Sequence, residues 1–210
     1  MTTTDGRLAR GERTRAAVLH RAADIASVEG LDGLSIGQLA ADLQVSKAGV
    51  FAHFGSKEQL QLATIRAAVG RFTDEVVAPA LDAPERLDRL VVLCERWLGY
   101  SQSGPFPGGC FFFNVAAEYD AKPGRVRDEI AAARRLWLDA YEAVISSAQR
   151  RGEVDVGLDP ADLAFELDAL GMAANLHARL CDDPTAHDRA RAAMFARLRA
   201  VATVPHPALA

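Results

Sequence analysis

Two helix starts only eleven residues apart, at Ser35 and Ser46, constrain this chain more than any other feature. They lie in LSIGQLAADLQVSKAGVFAHFGSKEQL, residues 34–60. Ser35 is followed three residues later by Gln38, and Ser56 by Gln59, the spacing at which a serine and a glutamine cap a helix reciprocally. Leu34 and Leu39 flank the first cap as a hydrophobic staple. The pattern predicts a helix over about Ile36–Leu43, a turn at Gln44–Val45, and a shorter helix opened by Ser46 and closed before Gly55. A helix of some two turns, a tight bend and a second helix of the same size form a unit too small to bury itself. It needs a preceding helix, predicted over Arg10–Glu29 with Val18, Ala22, Ile25 and Ala26 on one face and Gly30 at its end.

This is the spacing of a helix-turn-helix, in which the first helix crosses a phosphate backbone and the second enters the major groove. The groove is about 12 Å wide, so the reading helix must present little bulk. Ala48, Gly49 and Ala52 keep one face small, while Phe51 and Phe54 are expected to anchor the other face in the core. Lys47 is placed for a phosphate or a guanine edge, and Lys57 for a clamp on the same strand. Ser35 with Ile36, and Ser46, sit at helix starts, where free N–H groups favour phosphate. Arg10, Arg13 and Arg15 can reach the backbone or a minor groove, and His53 closes the reading helix.

The charge distribution agrees. The formal net charge is −4, which argues against a protein that coats nucleic acid over its whole surface. Residues 1–60 nevertheless hold seven basic and seven acidic side chains, so the deficit lies wholly in the remainder. Cys94, Cys110 and Cys181 are far apart and odd in number, which points to reduced thiols rather than a disulfide framework or zinc site. The start of the chain is polar, no run of about 18 apolar residues occurs, and a cytoplasmic protein without membrane association is expected.

Residues 10–60 resemble the TetR family of transcriptional regulators. Ser35, Ile36, Leu39, Ala40, Val45, Ser46, Phe51, His53, Phe54, Lys57 and Leu60 stand in register with the family pattern. Phe51 replaces a common Tyr, Ala48 a common Gly, and Gln44 a common turn Gly, which leaves that turn less relaxed. The resemblance implies an all-helical homodimer with an N-terminal three-helix DNA-binding domain, residues 1–56, and a larger ligand-binding and dimerisation domain, residues 57–210. It also implies a repressor that a small apolar effector releases from a near-palindromic operator.

The remainder reads as helices too, about nine in the whole chain, with residues 1–8 expected to be disordered. A fourth helix is predicted to end at Ala78 before Pro79, followed by helices over 84–101, near 110–119, 123–151, 159–181 and 186–201, with a frayed tail. The implied effector cavity has candidate aromatic walls in Trp97, Tyr100, Phe111, Trp137, Tyr141 and Phe165, with Met172 beside them. Asn114, Glu118 and Asp168 are the candidate polar contacts. For subunit pairing, Leu163, Leu167, Leu170 and Ala174 form one seam, with Gly171 permitting close approach and His177, Phe195 and Leu198 alongside.

Two other classes compete. Cys110, at a helix start, would suit a redox-sensing regulator on the same scaffold. CDDPTAHD offers Asp182, Asp183, His187 and Asp188 to a metal-dependent enzyme, but no opposing carboxylate cluster, Ser-His-Asp order or phosphate-cradling loop accompanies it. No catalytic, metal or cofactor site is therefore expected.

Overall fold

The computed structural model describes residues 3–84 and 86–209, with backbone alone over residues 3–8. The described residues are helical apart from turns, loops and an isolated bridge between Val154 and Ala202. The helices are α1 (Thr3–Glu29), α2 (Ile36–Asp42), α3 (Lys47–Phe54), α4 (Lys57–Phe72), α5 (Ala78–Leu81), α6 (Leu87–Ser103), α7 (Phe111–Tyr119), α8 (Arg125–Arg150), α9 (Pro160–Leu180) and α10 (Ala186–Val201). A π turn, Thr73–Val77, joins α4 to α5, so nine rods are counted among the described residues.

Three local expectations change. Helix α1 starts at Thr3, well before Arg10, while Met1 and Thr2 lie outside the described residues. The fourth rod runs through Pro79. Proline cannot donate the bond to the carbonyl four residues back, and its ring crowds that carbonyl. The π turn widens the coil just ahead of it, with Ala78 N–H donating to Thr73 O five residues back. The tail is docked, not frayed: Thr203 N–H donates to Glu153 O at 3.0 Å, Arg199 Nε donates to Leu209 O, and Leu209 is buried.

The chain forms two compact units. One comprises residues 1–70 and 106–131, the other residues 71–105 and 132–210. In the first, α1 buries Val18, Ala22, Ile25 and Ala26 as its periodicity requires, against Leu39, Val50, Phe54 and Leu60 of the short helices and α4. Helix α7 packs on α1 in the same unit. In the second, α6 buries Leu87, Leu90, Val91, Cys94, Trp97 and Leu98, and α9 and α10 lie along one another.

Caps set the ends of these rods. The Ser46 hydroxyl accepts from Gly49 N–H at 3.0 Å, Ser56 from Gln59 N–H at 3.1 Å, and the Asp159 carboxylate from Ala161 N–H at 2.9 Å. Ser35 occupies the N-cap of α2 by backbone conformation, but its side chain makes no capping bond, so the expected reciprocal box with Gln38 does not form.

Candidate functional site

The turn between α2 and α3 is held by its own backbone. Gln44 N–H donates to Ala41 O at 3.2 Å and Val45 N–H to Ala40 O at 3.0 Å, a Schellman closure. Its left-handed position is Gln44, with φ of 54°, where glycine would fit without strain. From this turn α3 emerges with Val50 and Phe54, one helical turn apart, facing inward. Ser46, Lys47, Ala48 and Ala52 are exposed, and Gly49 and His53 half-buried. The small outer face predicted from the sequence is therefore open.

Phe51 corrects the expectation. It is 54% exposed rather than a core anchor, because it follows Val50 by a single residue and so points about 100° away from the buried stripe. It shares the outer face with Lys47, four residues before it.

Across the turn, Lys47 reaches back over the start of α2. A β-carbon at Gly37 would stand 3.2 Å from Lys47 Cε, 3.4 Å from Nζ and 3.6 Å from Ser35 Oγ. A cation, a hydroxyl not used for capping and the first turn of α2, begun by half-buried Ile36, thus converge on the surface. Arg10 and Arg13 are exposed on α1, whereas the Arg15 guanidinium lies 5.5 Å from the centre of the Phe54 ring. Lys57 is exposed but engaged within the chain, its Nζ donating to Asp32 O at 2.5 Å.

That Asp32 belongs to a brace that sequence reasoning missed. Glu118 on α7 accepts Leu31 N–H at 2.7 Å and Asp32 N–H at 2.9 Å, fixing the segment that leads into α2. The Asp32 carboxylate accepts from Tyr119 OH at 2.6 Å and Lys122 Nζ at 2.9 Å, and these bonds, Tyr119 first, hold its pKa below the ordinary value. Burial, then Asp32, push the Tyr119 hydroxyl in the opposite direction. Asn114, one turn before Glu118, donates to Ser27 O at 2.6 Å and to Gly108 O at 3.0 Å. Gly108 presses so closely on α1 that a β-carbon would stand 1.7 Å from Ser27 O. Two of the polar residues expected to meet an effector are thus engaged in bracing the helix-turn-helix. The sequence signal was Asn114 and Glu118 at i, i+4 on a short apolar helix. Phe111 is buried in this same unit, whereas Trp97, Tyr100, Trp137, Tyr141 and Phe165 belong to the second.

In the second unit, Trp97, Tyr100, Trp137 and Tyr141 do come together. The Trp137 ring centre lies 4.6 Å from Tyr141, 5.4 Å from Trp97 and 4.8 Å from Phe72, which in turn is 5.3 Å from Tyr100. Asp168 sits at this cluster with its side chain only 3% exposed. Its carboxylate accepts Trp137 Nε1–H at 3.0 Å and both terminal nitrogens of Arg134, one of them at 2.8 Å. The same guanidinium contacts Met172 Sδ at 2.8 Å. Beneath, Tyr141 OH lies 3.7 Å from Cys94 Sγ. Burial raises both groups, the Cys94 thiol to about 12, so neither ionises near neutrality. Phe165 is not part of this group: it is 69% exposed on the outer side of α9.

The expected pairing seam turns inward. Leu163, Leu167, Gly171 and Ala174 on α9, with Phe195 and Leu198 on α10, are buried within the single chain. Leu170 is half-buried and His177 exposed. The outward side of α9 presents Phe165 at 69% exposure, Leu176 at 37% and Leu180 at 74%. The stripe expected to meet a partner is thus part of the chain's own core, and the exposed apolar side chains of α9 are others.

The remaining candidates are separately engaged. Asp183 accepts from Thr185 N–H at 2.9 Å and from its hydroxyl at 2.7 Å, while His187 Nε2 pairs with Ser101 Oγ at 3.0 Å. Among the described residues no three His, Cys, Asp or Glu side chains converge as a metal site. Cys110 occupies the N-cap of α7, half-buried. Among the described residues, no helix is long and apolar enough to cross a membrane.

Comparison with known proteins places this geometry. Residues 18–64 match the model of bacterial regulatory proteins of the tetR family, and residues 86–194 that of the tetracyclin repressor-like C-terminal domain. No curated protein sequence gives a match. Among solved structures, a TetR transcriptional regulator from Chloroflexus aurantiacus J-10-FL superposes with a TM-score of 0.84 at 26% identity, over 92% of this chain and 98% of that one. A putative transcriptional regulator from Saccharomonospora viridis, solved in complex with choline, gives 0.75 at 23% identity over 92% and 100%. AibR, solved with isovaleryl coenzyme A and operator DNA, gives 0.66 at 22% over 86% and 95%. With both halves of the architecture matched, and one family model alone covering more than half of the sequence, the chain belongs to the TetR family of DNA-binding transcriptional regulators.

Proposed function

We propose that this regulator is a ligand-responsive repressor, which as a homodimer holds a near-palindromic operator and releases it when a small molecule binds. The observation that carries the reading is the outer face of α3: exposed, built of Ala48, Ala52 and Phe51, and flanked by Lys47, with Ser35 and the start of α2 beside it. Residues 1–56 then read DNA and residues 57–210 bind effector and partner, with α7 bracing the reader. Phosphate is met by Lys47, Ser35 and the N–H groups at the start of α2, while Ala48, Gly49, Ala52 and Phe51 approach base edges. The chromosome is the target, so the cytoplasm is the place of action.

Pairing is assigned to the outward stripe of α9, Phe165, Leu176 and Leu180, because burying large exposed apolar side chains drives association. An effector can release DNA only through its different affinity for the DNA-bound and free conformations. The relatives held choline in one case and isovaleryl coenzyme A in another, molecules of opposite charge, so the fold itself accommodates effectors of either sign.

The test is binding of the protein to the DNA flanking its own gene, across a salt series and with a panel of small molecules. Saturable binding to a near-palindrome, relieved by one class of compound, is expected. Lys47→Ala should weaken binding and reduce the slope of log K against log salt by about 1. An unchanged slope removes Lys47 from the phosphate contact, and failure to bind that DNA specifically defeats the operator reading.

A further inference from the structure

We infer that the effector is an organic ammonium ion, and that its charge is received by Asp168 at the place now filled by the Arg134 guanidinium. The inference rests on the reading that the second unit is the effector domain, and it goes further by naming the chemical class.

A carboxylate is costly to bury unless a cation or several donors accompany it. Asp168 is held by Trp137 Nε1–H and by Arg134, and the two partners of this ion pair are unequally placed. The Asp168 side chain is 3% exposed, that of Arg134 36%. Arginine is long and reaches solvent from α8, whereas Asp168 is fixed among rings on α9. Exchange therefore has a preferred direction. A ligand cation that displaces Arg134 lets the guanidinium swing into water, where it is well solvated. A ligand anion that captured Arg134 would leave Asp168 buried with a single neutral donor, which is strongly unfavourable. The pair selects positive charge.

The surroundings select the kind of cation. The Trp137 indole donates to Asp168 and packs edge-on with Trp97 and Tyr141. The soft thioether of Met172 touches the same guanidinium. A small hydrated metal ion finds no ring of oxygen ligands there. An alkylated ammonium, with its charge spread over methyl groups, is suited by a thioether and one buried carboxylate held beside an indole N–H. Arg134 is then an internal competitor that keeps the site closed when ligand is scarce and raises the concentration needed to open it.

The molecule carries its own reporter, since its two tryptophans are Trp97 and Trp137. Full-length protein is titrated with choline and with benzyltrimethylammonium, alongside 3,3-dimethylbutan-1-ol as the uncharged isostere of choline and isovalerate as the anion, while tryptophan emission is followed. The ammonium ions are expected to change the emission saturably and the other two compounds to leave it unchanged. Arg134→Gln removes the competitor and should tighten ammonium binding about tenfold or more, whereas a purely structural ion pair would give no gain. Asp168→Asn should weaken it by at least about tenfold, with thermal melting used to verify the fold.

The proposal is overturned if the alcohol or isovalerate binds as well as the ammonium ions. It is equally overturned if Arg134→Gln gives no saturable response to either ammonium at millimolar concentration, or if Asp168→Asn binds like the parent. Operator release is measured separately. Ammonium binding that depends on Asp168 but leaves DNA bound would sink the repressor reading while sparing this site. Release by a neutral or anionic compound, insensitive to Asp168, would do the reverse.

Discussion

The six-membered ring of Trp97 lies directly against the backbone of Gly171: a β-carbon built there would stand 2.1 Å from the ring. The glycine that the sequence suggested for close approach between subunits instead admits an indole of its own chain. Gly171→Ala forces Trp97 out of its place, and with it the edge-on contact to Trp137. Overpacking of this kind costs about 1–3 kcal/mol. A lowered melting temperature and altered tryptophan emission are expected, and a variant with unchanged emission would show that the ring has room to yield.

The pairing surface has a test that separates its two candidate stripes. Phe165→Glu combined with Leu180→Glu alters exposed residues and is expected to leave a folded monomer, measured by light scattering with circular dichroism as the control. Leu163→Ala empties a buried site and is expected to cost about 2–5 kcal/mol in unfolding. If the double glutamate variant stays dimeric, the outward stripe of α9 is not the seam.

Gln44 supplies a gain of stability. It holds the left-handed position of the Schellman turn between α2 and α3, a conformation that disfavours side chains by about 1–2 kcal/mol. Glycine relieves this strain but adds freedom to the unfolded chain, so the net gain from Gln44→Gly is about 1 kcal/mol or less. Urea unfolding measures it, and a loss of stability would mean that the side chain itself contributes to the turn.

Alkali should weaken the fold through Cys94. Its thiol is raised to about 12 by burial, against about 8.5 in an unfolded chain. The folded state therefore keeps a proton that the unfolded state loses. The contribution is full below about pH 8.5 and disappears as pH rises towards 12. Tyr141, raised by the same burial, adds to the loss above about pH 10. Unfolding free energies measured at increasing pH are expected to fall, less steeply in Cys94→Ala. Thiol labelling at pH 8 should find exposed Cys181 first and Cys94 only on unfolding.

Acid acts on the brace. Asp32 is held ionised chiefly by Tyr119, so its contribution is present above the unfolded carboxylate pKa of about 3.9 and is lost as pH falls through the lower folded value. Loss of order in the segment before α2 below about pH 4, followed by amide NMR shifts of Leu31 and Asp32, is expected, and Tyr119→Phe should move it to higher pH. Amide shifts that stay constant through this range, or the same midpoint in Tyr119→Phe, would contradict the proposed brace.

Interactions that span a few residues were legible in the sequence alone. Ser46, Ser56 and Asp159 announced their helices because a cap is satisfied within three positions. The small face of α3 followed from Ala48, Gly49 and Ala52, and the bend at Gln44 from its place in the motif. Which side of an apolar rod meets the core was decided only by tertiary structure, since periodicity gives the spacing of a stripe and not its partner. Thus Phe51 stands outside, Leu163 and Leu167 inside, and Pro79 within a rod that widens to hold it. Asn114 braces α1, Glu118 the segment after it, and Arg134 meets Asp168, for the same reason: a polar group that packing takes from water accepts whatever partner the packing brings, and that partner lay up to 87 residues away.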